Sequence, residues 1–253
     1  MNILITRPRT QSAPFANALQ AAGFTPIFFP VIEIRPMDDY TVLDRALAKL
    51  ACYDWVVFTS VNGVEAVWNR LSLTPGPSPL RGGVGVRVAA IGPKTAEALQ
   101  SRGVTPDFVP EEYVAEAILP GLGDLRGKWV LLPRAEIARK ALPETIAKAG
   151  GIAHEIAVYQ TLPAMPDPDG LAAIRAGVDW LTFTSPSTVH NFVEIVRRAS
   201  LEPLGLPAAP KVACIGPITE SAAREEGFKV DLVAEQYTTE GLIRAMRGAL
   251  RKT

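Results

Sequence analysis

Cysteine and histidine are nearly absent from this chain, with two of each in 253 residues. Cys52 and Cys214 have no CxxC spacing and lie beside or within apolar runs, which excludes a disulfide framework or a cysteine-based zinc site and suits a reducing compartment. Both are expected as small core residues. His154 and His190 cannot complete a metal site by themselves, and neither falls in a Ser-His-Asp arrangement, so both are read as structural or surface residues. No sign of charge is in surplus, with 26 Lys and Arg against 26 Asp and Glu. Lacking a basic excess or patch, the chain is not expected to bind nucleic acid. No apolar run approaches the roughly 20 residues that span a bilayer, and the opening MNILITRPR turns polar too early for a signal-peptide core. A cytoplasmic protein with no membrane partner is the expectation.

What is present is an α/β pattern, written twice. Short runs rich in Val, Ile and Phe alternate with longer segments of helical period, as in βαβ units around a parallel sheet. Strands are expected at 2–6, 26–32, 54–59, 86–91, 128–132, 153–160, 179–184 and 211–215, with helices between them such as 10–22, 62–70, 93–102, 136–149 and 217–226. ILITRPR at 3 matches VLLPRAE at 130, and DWVVFTSVNGV at 54 matches DWLTFTSPSTV at 179. AIGPKTAEAL at 90 matches CIGPITESAA at 214, and DFVPEEYVAEAIL at 107 matches DLVAEQYTTEGLI at 231. Matched blocks in one order imply two similar α/β lobes, with a cleft between them as the natural binding place. The Pro/Gly stretches at 72–85 and 201–210 read as exposed loops. RGGVG within the first precedes a strand, whereas a dinucleotide fingerprint follows one and opens a helix, so a nucleotide-dependent transferase is disfavoured.

The repeated corners carry the chemistry. In FTSPSTV, Ser185 is placed to cap a helix and Pro186 to begin it, where a missing N–H costs nothing. In IGPKT and IGPIT, Gly92 and Gly216 allow close backbone approach, and Pro93 and Pro217 open helices. Four helix N-termini thus fall at carboxyl ends of parallel strands, the edge where such sheets bind ligands. Each offers unpaired N–H groups and a partial positive charge, about 0.3–1 kcal/mol per anion from the dipole and about 1.5–3 kcal/mol per charge-assisted hydrogen bond. Several together reach the roughly 8 kcal/mol of micromolar binding, so a neutral protein can hold a polycarboxylate. Any single corner also reads as an ordinary helix cap, Arg7 and Arg134 as solvated loop charges, and Tyr159 as a strand aromatic.

Taken together, ITRP at 5, the FTS corner at 58, VYQT at 158, FTSPS at 183, the IGP corner at 215 and TTEGL at 238 resemble the uroporphyrinogen-III synthase family. The resemblance implies two flavodoxin-like lobes with parallel sheets, joined by a two-strand linker near 33–39 and 158–165. Residues 1–35 and 163–253 would form one lobe and 36–162 the other; the repeat alone would cut the chain near 125. The implied reaction takes hydroxymethylbilane, which carries an acetate and a propionate on every ring, removes water, closes the macrocycle and inverts ring D through a spiro intermediate. No metal or organic cofactor is implied. The partners expected are this small-molecule substrate and transient hand-over from hydroxymethylbilane synthase, with the protein a monomer.

Under that resemblance Tyr159 helps the hydroxyl leave and Thr219 is the next catalytic candidate. A phenol is a weak acid, so the share asked of it is modest. Thr6, Arg7, Thr59, Ser60, Asn62, Gly92, Thr95, Ser185, Ser187, Gly216 and Pro217 would hold carboxylates through hydroxyls, charge or backbone N–H groups. Val61 and Asn62 depart from family motifs that carry proline and a basic residue there, which leaves backbone contacts at that corner. Holding the substrate in the productive fold supplies much of the catalysis. The alternative reading is a cytoplasmic bilobed module that binds or senses a small anion without chemistry.

Overall fold

The computed structural model describes residues 1–73, 85–112 and 115–250, apart from the side chains of 10, 115, 116 and 250. In chain order the elements are β1 (Asn2–Ile5), α1 (Arg9–Ala21), β2 (Thr25–Phe28), β3 (Ile32–Pro36), α2 (Thr41–Ala48), β4 (Trp55–Phe58), α3 (Val61–Leu71), β5 (Arg87–Ala90), α4 (Pro93–Gln100), α5 (Leu119–Leu122), β6 (Trp129–Ala135), α6 (Ala141–Lys148), β7 (Ile152–Pro163), α7 (Pro168–Ala176), β8 (Trp180–Phe183), α8 (Pro186–Arg198), β9 (Lys211–Cys214), α9 (Pro217–Glu225), β10 (Leu232–Val233) and α10 (Thr239–Leu250). The strand expected at 26–32 is two strands, broken where Pro30 removes a backbone donor. The helix expected from 136 begins at Ala141. Most of the stretch at 72–85, RGGVG included save Gly85, lies outside the described residues. Among those described, no helix is long and apolar enough to cross a membrane.

The chain divides into two compact units, Met1–Glu33 with Leu162–Thr253, and Ile34–Thr161. Neither unit is one copy of the repeat. The first takes β1 and β2 from the first copy and β8 to β10 from the second; the other takes β4 and β5 from the first and β6 and β7 from the second. The chain passes from one unit to the other inside β3 and again inside β7.

In the first unit the strand order is β10-β9-β8-β1-β2, with every neighbouring pair parallel. Counted along that unit this is the 2-1-3-4-5 order of flavodoxin-like sheets, which reverses direction between β1 and β8. The second unit has the order β3-β7-β6-β4-β5, parallel from β7 through β5, and reverses between β6 and β4. Both faces of this sheet are covered, which is why β4 reads as an unbroken apolar run. Trp55 and Val57 face a core with Val130, Leu132, Leu142 and Ile146, while Val56 and Phe58 face another with Val64, Val67, Leu131 and Val158. In the first unit Phe29, Phe183, Phe192 and Phe228 pack ring on ring, centroids 5.5–6.2 Å apart.

Several repeated residues prove to set register at the amino ends of the strands. Asp54 accepts from the Trp129 N–H at 2.9 Å, and its repeat Asp179 from the Asn2 N–H at 2.6 Å. Asp107 and Asp231 accept likewise from Val88 and Val212. Arg87 lies over the Trp55 ring and Lys211 over the Trp180 ring, 4.1 and 5.5 Å from the centroids. Of the two cysteines, Cys214 is buried as expected but Cys52 is exposed. It ends a short 3-10 turn, Leu50–Cys52, in which Leu50 is the residue that turns inward.

Candidate functional site

Four strands hand over to helices at the carboxyl edges of the sheets, each through one of the repeated corners. At the end of β4 Ser60 is the N-cap of α3, and its Oγ accepts the Gly63 N–H at 3.1 Å. At the end of β8 Ser185 and Thr188 cap reciprocally: Thr188 N–H donates to Ser185 Oγ at 3.3 Å, and Ser185 N–H to Thr188 Oγ1 at 3.2 Å. Replacing Ser185 by alanine is expected to cost about 1 kcal/mol of stability, read as a lower urea midpoint; an unchanged midpoint would show that Pro186 alone fixes the helix start. Gly92 and Gly216 occupy the N-cap positions of α4 and α9 in extended backbone, with no side chain to cap the first N–H groups. Those donors are therefore left for a ligand or water.

Thr95 and Thr219 are third in their helices and only 4% and 3% exposed. Neither hydroxyl has a hydrogen-bond partner among the described residues. Pro217 and Ser187 are exposed, and Thr59 and Asn62 are half-buried beside the α3 cap. Thr6 is set apart from the other corner hydroxyl residues by its burial. It is fully buried, and its hydroxyl donates to the Thr182 carbonyl of the adjacent strand at 2.7 Å, a bond that ties β1 to β8.

The two matched arginines have parted ways. Arg134 is no solvated loop charge: it is a buried residue of β6, donating to Glu155 and to the Arg139 carbonyl at 2.8 Å each. Arg7 is half-buried after β1, donates to Gln11 Oε1 at 3.3 Å, and its buried Nε has no partner among the described residues. Burial pushes its guanidinium down from the ordinary value, and the Glu240 carboxylate opposes part of that shift.

Tyr159 comes from β7, where it pairs with Ala135 after a register shift in β6. It is 9% exposed, its ring belongs to the core that holds Phe58 and Val158, and its hydroxyl lies 3.0 Å from Ser60 Oγ. The strand order puts β6 between β7 and β4, so the phenol reaches past the end of β6 to the α3 cap. The strand-aromatic reading of Tyr159 holds, with its hydroxyl left at the corner of α3. In the first unit, burial pushes the Cys214 thiol up to about 12, which keeps it protonated and inert as a nucleophile.

The model of a family described as uroporphyrinogen-III synthase HemD matches residues 13–244. This chain belongs to the uroporphyrinogen-III synthase family. It is 33% identical over 256 residues to the uroporphyrinogen-III synthase of Synechococcus elongatus, covering 99% of this chain and 96% of that one. With the corresponding protein of Chlorobaculum parvum the identity is 32%, over 98% of this chain and 99% of its relative. Among solved structures, a mutant uroporphyrinogen III synthase from the extremely thermophilic bacterium Thermus thermophilus superposes with a TM-score of 0.65 at 24% identity, covering 100% of both chains. The uroporphyrinogen-III synthetase of Helicobacter pylori gives 0.66 at 19%, covering 100% of this chain and 99% of that one. At those identities the two structures speak for the fold, and they agree with the α/β architecture of two mostly parallel sheets described above.

A uroporphyrinogen-III synthase family member built this way has one edge residue that the motifs did not single out. Tyr237 is 65% exposed, yet its ring packs so closely on Gly216 that a Cβ there would lie 3.2 Å from it. Thr238 beside it caps α10 by accepting the Gly241 N–H at 3.0 Å. The signal was available, because the matched blocks put Tyr113 and Tyr237 in register; Tyr113 lies outside the described residues.

Proposed function

We propose that this chain closes hydroxymethylbilane to uroporphyrinogen III, with loss of water and inversion of ring D, as a cytoplasmic monomer that receives its substrate from hydroxymethylbilane synthase. The observation that carries the reading is the meeting of the Tyr159 and Ser60 hydroxyls, 3.0 Å apart at a helix N-terminus on the sheet's carboxyl edge. Family membership over almost the whole chain supports ring closure over a module that only binds an anion.

In this reading acetates and propionates are taken up at helix N-termini on the carboxyl edges of the sheets, α3 and α4 in the one unit and α8 and α9 in the other. Backbone N–H groups at Gly92 and Gly216 are donors there, with Thr59, Asn62, Thr95, Ser185, Ser187 and Pro217 lining the same corners and Arg7 supplying a fixed positive charge. These contacts are worth most when several act on one flexible chain, because they convert its closure into an oriented intramolecular step. Tyr159 donates its proton to the departing hydroxyl, which leaves as water, and the proton released on final ring closure restores the phenol. Thr219 lies at the repeat-related corner of α9 as a second hydroxyl donor.

Freshly generated hydroxymethylbilane, incubated with the purified protein and oxidised, is expected to give mainly the type III isomer. Type I product equal to the protein-free control, from a folded sample, would end the proposal.

A further inference from the structure

We propose that Ser60 is a positioning residue that acts through Tyr159, and that its hydroxyl is the switch which frees the phenol proton. The proposal rests on the reading above and assigns Ser60 a role other than carboxylate binding. Ser60 Oγ has one proton and two acceptor sites. One acceptor site is taken by the Gly63 N–H at 3.1 Å, and Tyr159 Oη stands 3.0 Å away with either oxygen able to donate. While the phenol donates to Ser60, its own proton is occupied. Once a leaving hydroxyl accepts that proton, Ser60 turns its single proton onto Tyr159 Oη.

The result is one directed chain, from Gly63 N–H to Ser60 hydroxyl to Tyr159 hydroxyl to the leaving group, in which each bond polarises the next. As the phenol gives up its proton the oxygen gains negative charge, facing a serine donor and the positive end of α3. The serine bond therefore strengthens in the transition state, which raises kcat and leaves KM alone. Gly63 is what lets the helix end sit this close: a Cβ there would lie 2.9 Å from the Pro133 carbonyl oxygen of β6 and 3.4 Å from Ser60 Oγ.

Ser60→Ala is expected to lower kcat about fivefold, with KM unchanged within about twofold and most of the rate restored in Ser60→Thr. In a Tyr159→Phe background the same change should alter kcat by less than about twofold, since the group through which Ser60 acts is gone. A raised KM with intact kcat, or an equal further loss in the Tyr159→Phe background, would overturn the proposal. An independent reading uses protein in which the five tyrosines carry 3-fluorotyrosine, the Tyr159 fluorine signal being assigned by its loss in Tyr159→Phe. That signal should move in Ser60→Ala without substrate; a stationary signal denies the contact whatever the enzyme does. Absence of type III product from the wild-type protein, by contrast, would remove the parent reading and the catalytic role with it, while a shifted fluorine signal still located the contact.

Discussion

Replacing Glu155 by alanine is expected to cost the Ile34–Thr161 unit about 3 kcal/mol and to lower its thermal midpoint by about 10 °C. Few substitutions outside the hydrophobic cores should cost more. The Arg134 side chain is 7% exposed and holds Glu155 at 2.8 Å, while Lys140 pairs with the other oxygen of the same carboxylate. Without Glu155 the guanidinium stays charged, keeps the Arg139 carbonyl as its remaining hydrogen-bond acceptor, and has an Nε already without a partner among the described residues. Uncompensated burial of that charge sets the cost. Lys140 is two-thirds exposed and loses little. Glu155→Gln keeps the shape and an acceptor, so about half the loss is expected, and the pair Arg134→Met with Glu155→Leu should recover most of it. Urea unfolding of the three variants checks this. A loss below about 1 kcal/mol in Glu155→Ala would mean that water reaches the guanidinium and screens it.

Arg134 also shows where reading the chain stops. Arg7 and Arg134 sit in matched blocks, yet only one is buried in an ion pair. The difference lies in Glu155, a residue of β7 brought alongside by the β6–β7 register, Leu132 opposite Glu155. Local pattern carried the strands, since alternation and two-sided burial leave a direct imprint on residue choice. It carried the helix starts at the repeated corners too, because a cap is decided within four residues, as at Ser185 and Thr188; the start of α6, which has no side-chain cap, was not legible in the same way. The Ser60–Tyr159 contact spans 99 residues of chain and depends on strand order, which no local preference encodes. Thr6 looked like its corner neighbours in sequence and differs only because β8 lies beside β1 and takes its hydroxyl. Pro30 interrupts an apolar run that periodicity alone reads as one strand, and the lost backbone donor divides it into two.

Tyr159→Phe is expected to lower kcat about a hundredfold, the lower end of what general acid catalysis contributes, because a phenol is a weak acid. Stability should fall by no more than about 1 kcal/mol: phenylalanine keeps the ring in the core beside Phe58 and Val158, and Ser60 retains its bond from Gly63. KM should hold, since phenylalanine leaves every group proposed to hold a carboxylate in place. The isomer ratio gives a second reading. Substrate that closes without enzyme gives the type I ring, so slower assisted departure of water should raise the type I share in the variant. Loss of rate with the type III share preserved would mean that the phenol helps the hydroxyl leave while the helix N-termini alone enforce inversion. Unchanged kcat at saturating substrate would take Tyr159 out of the proton transfer altogether, and catalysis would then reside in orientation, with the hydroxyl corners holding a chain that closes by its own reactivity.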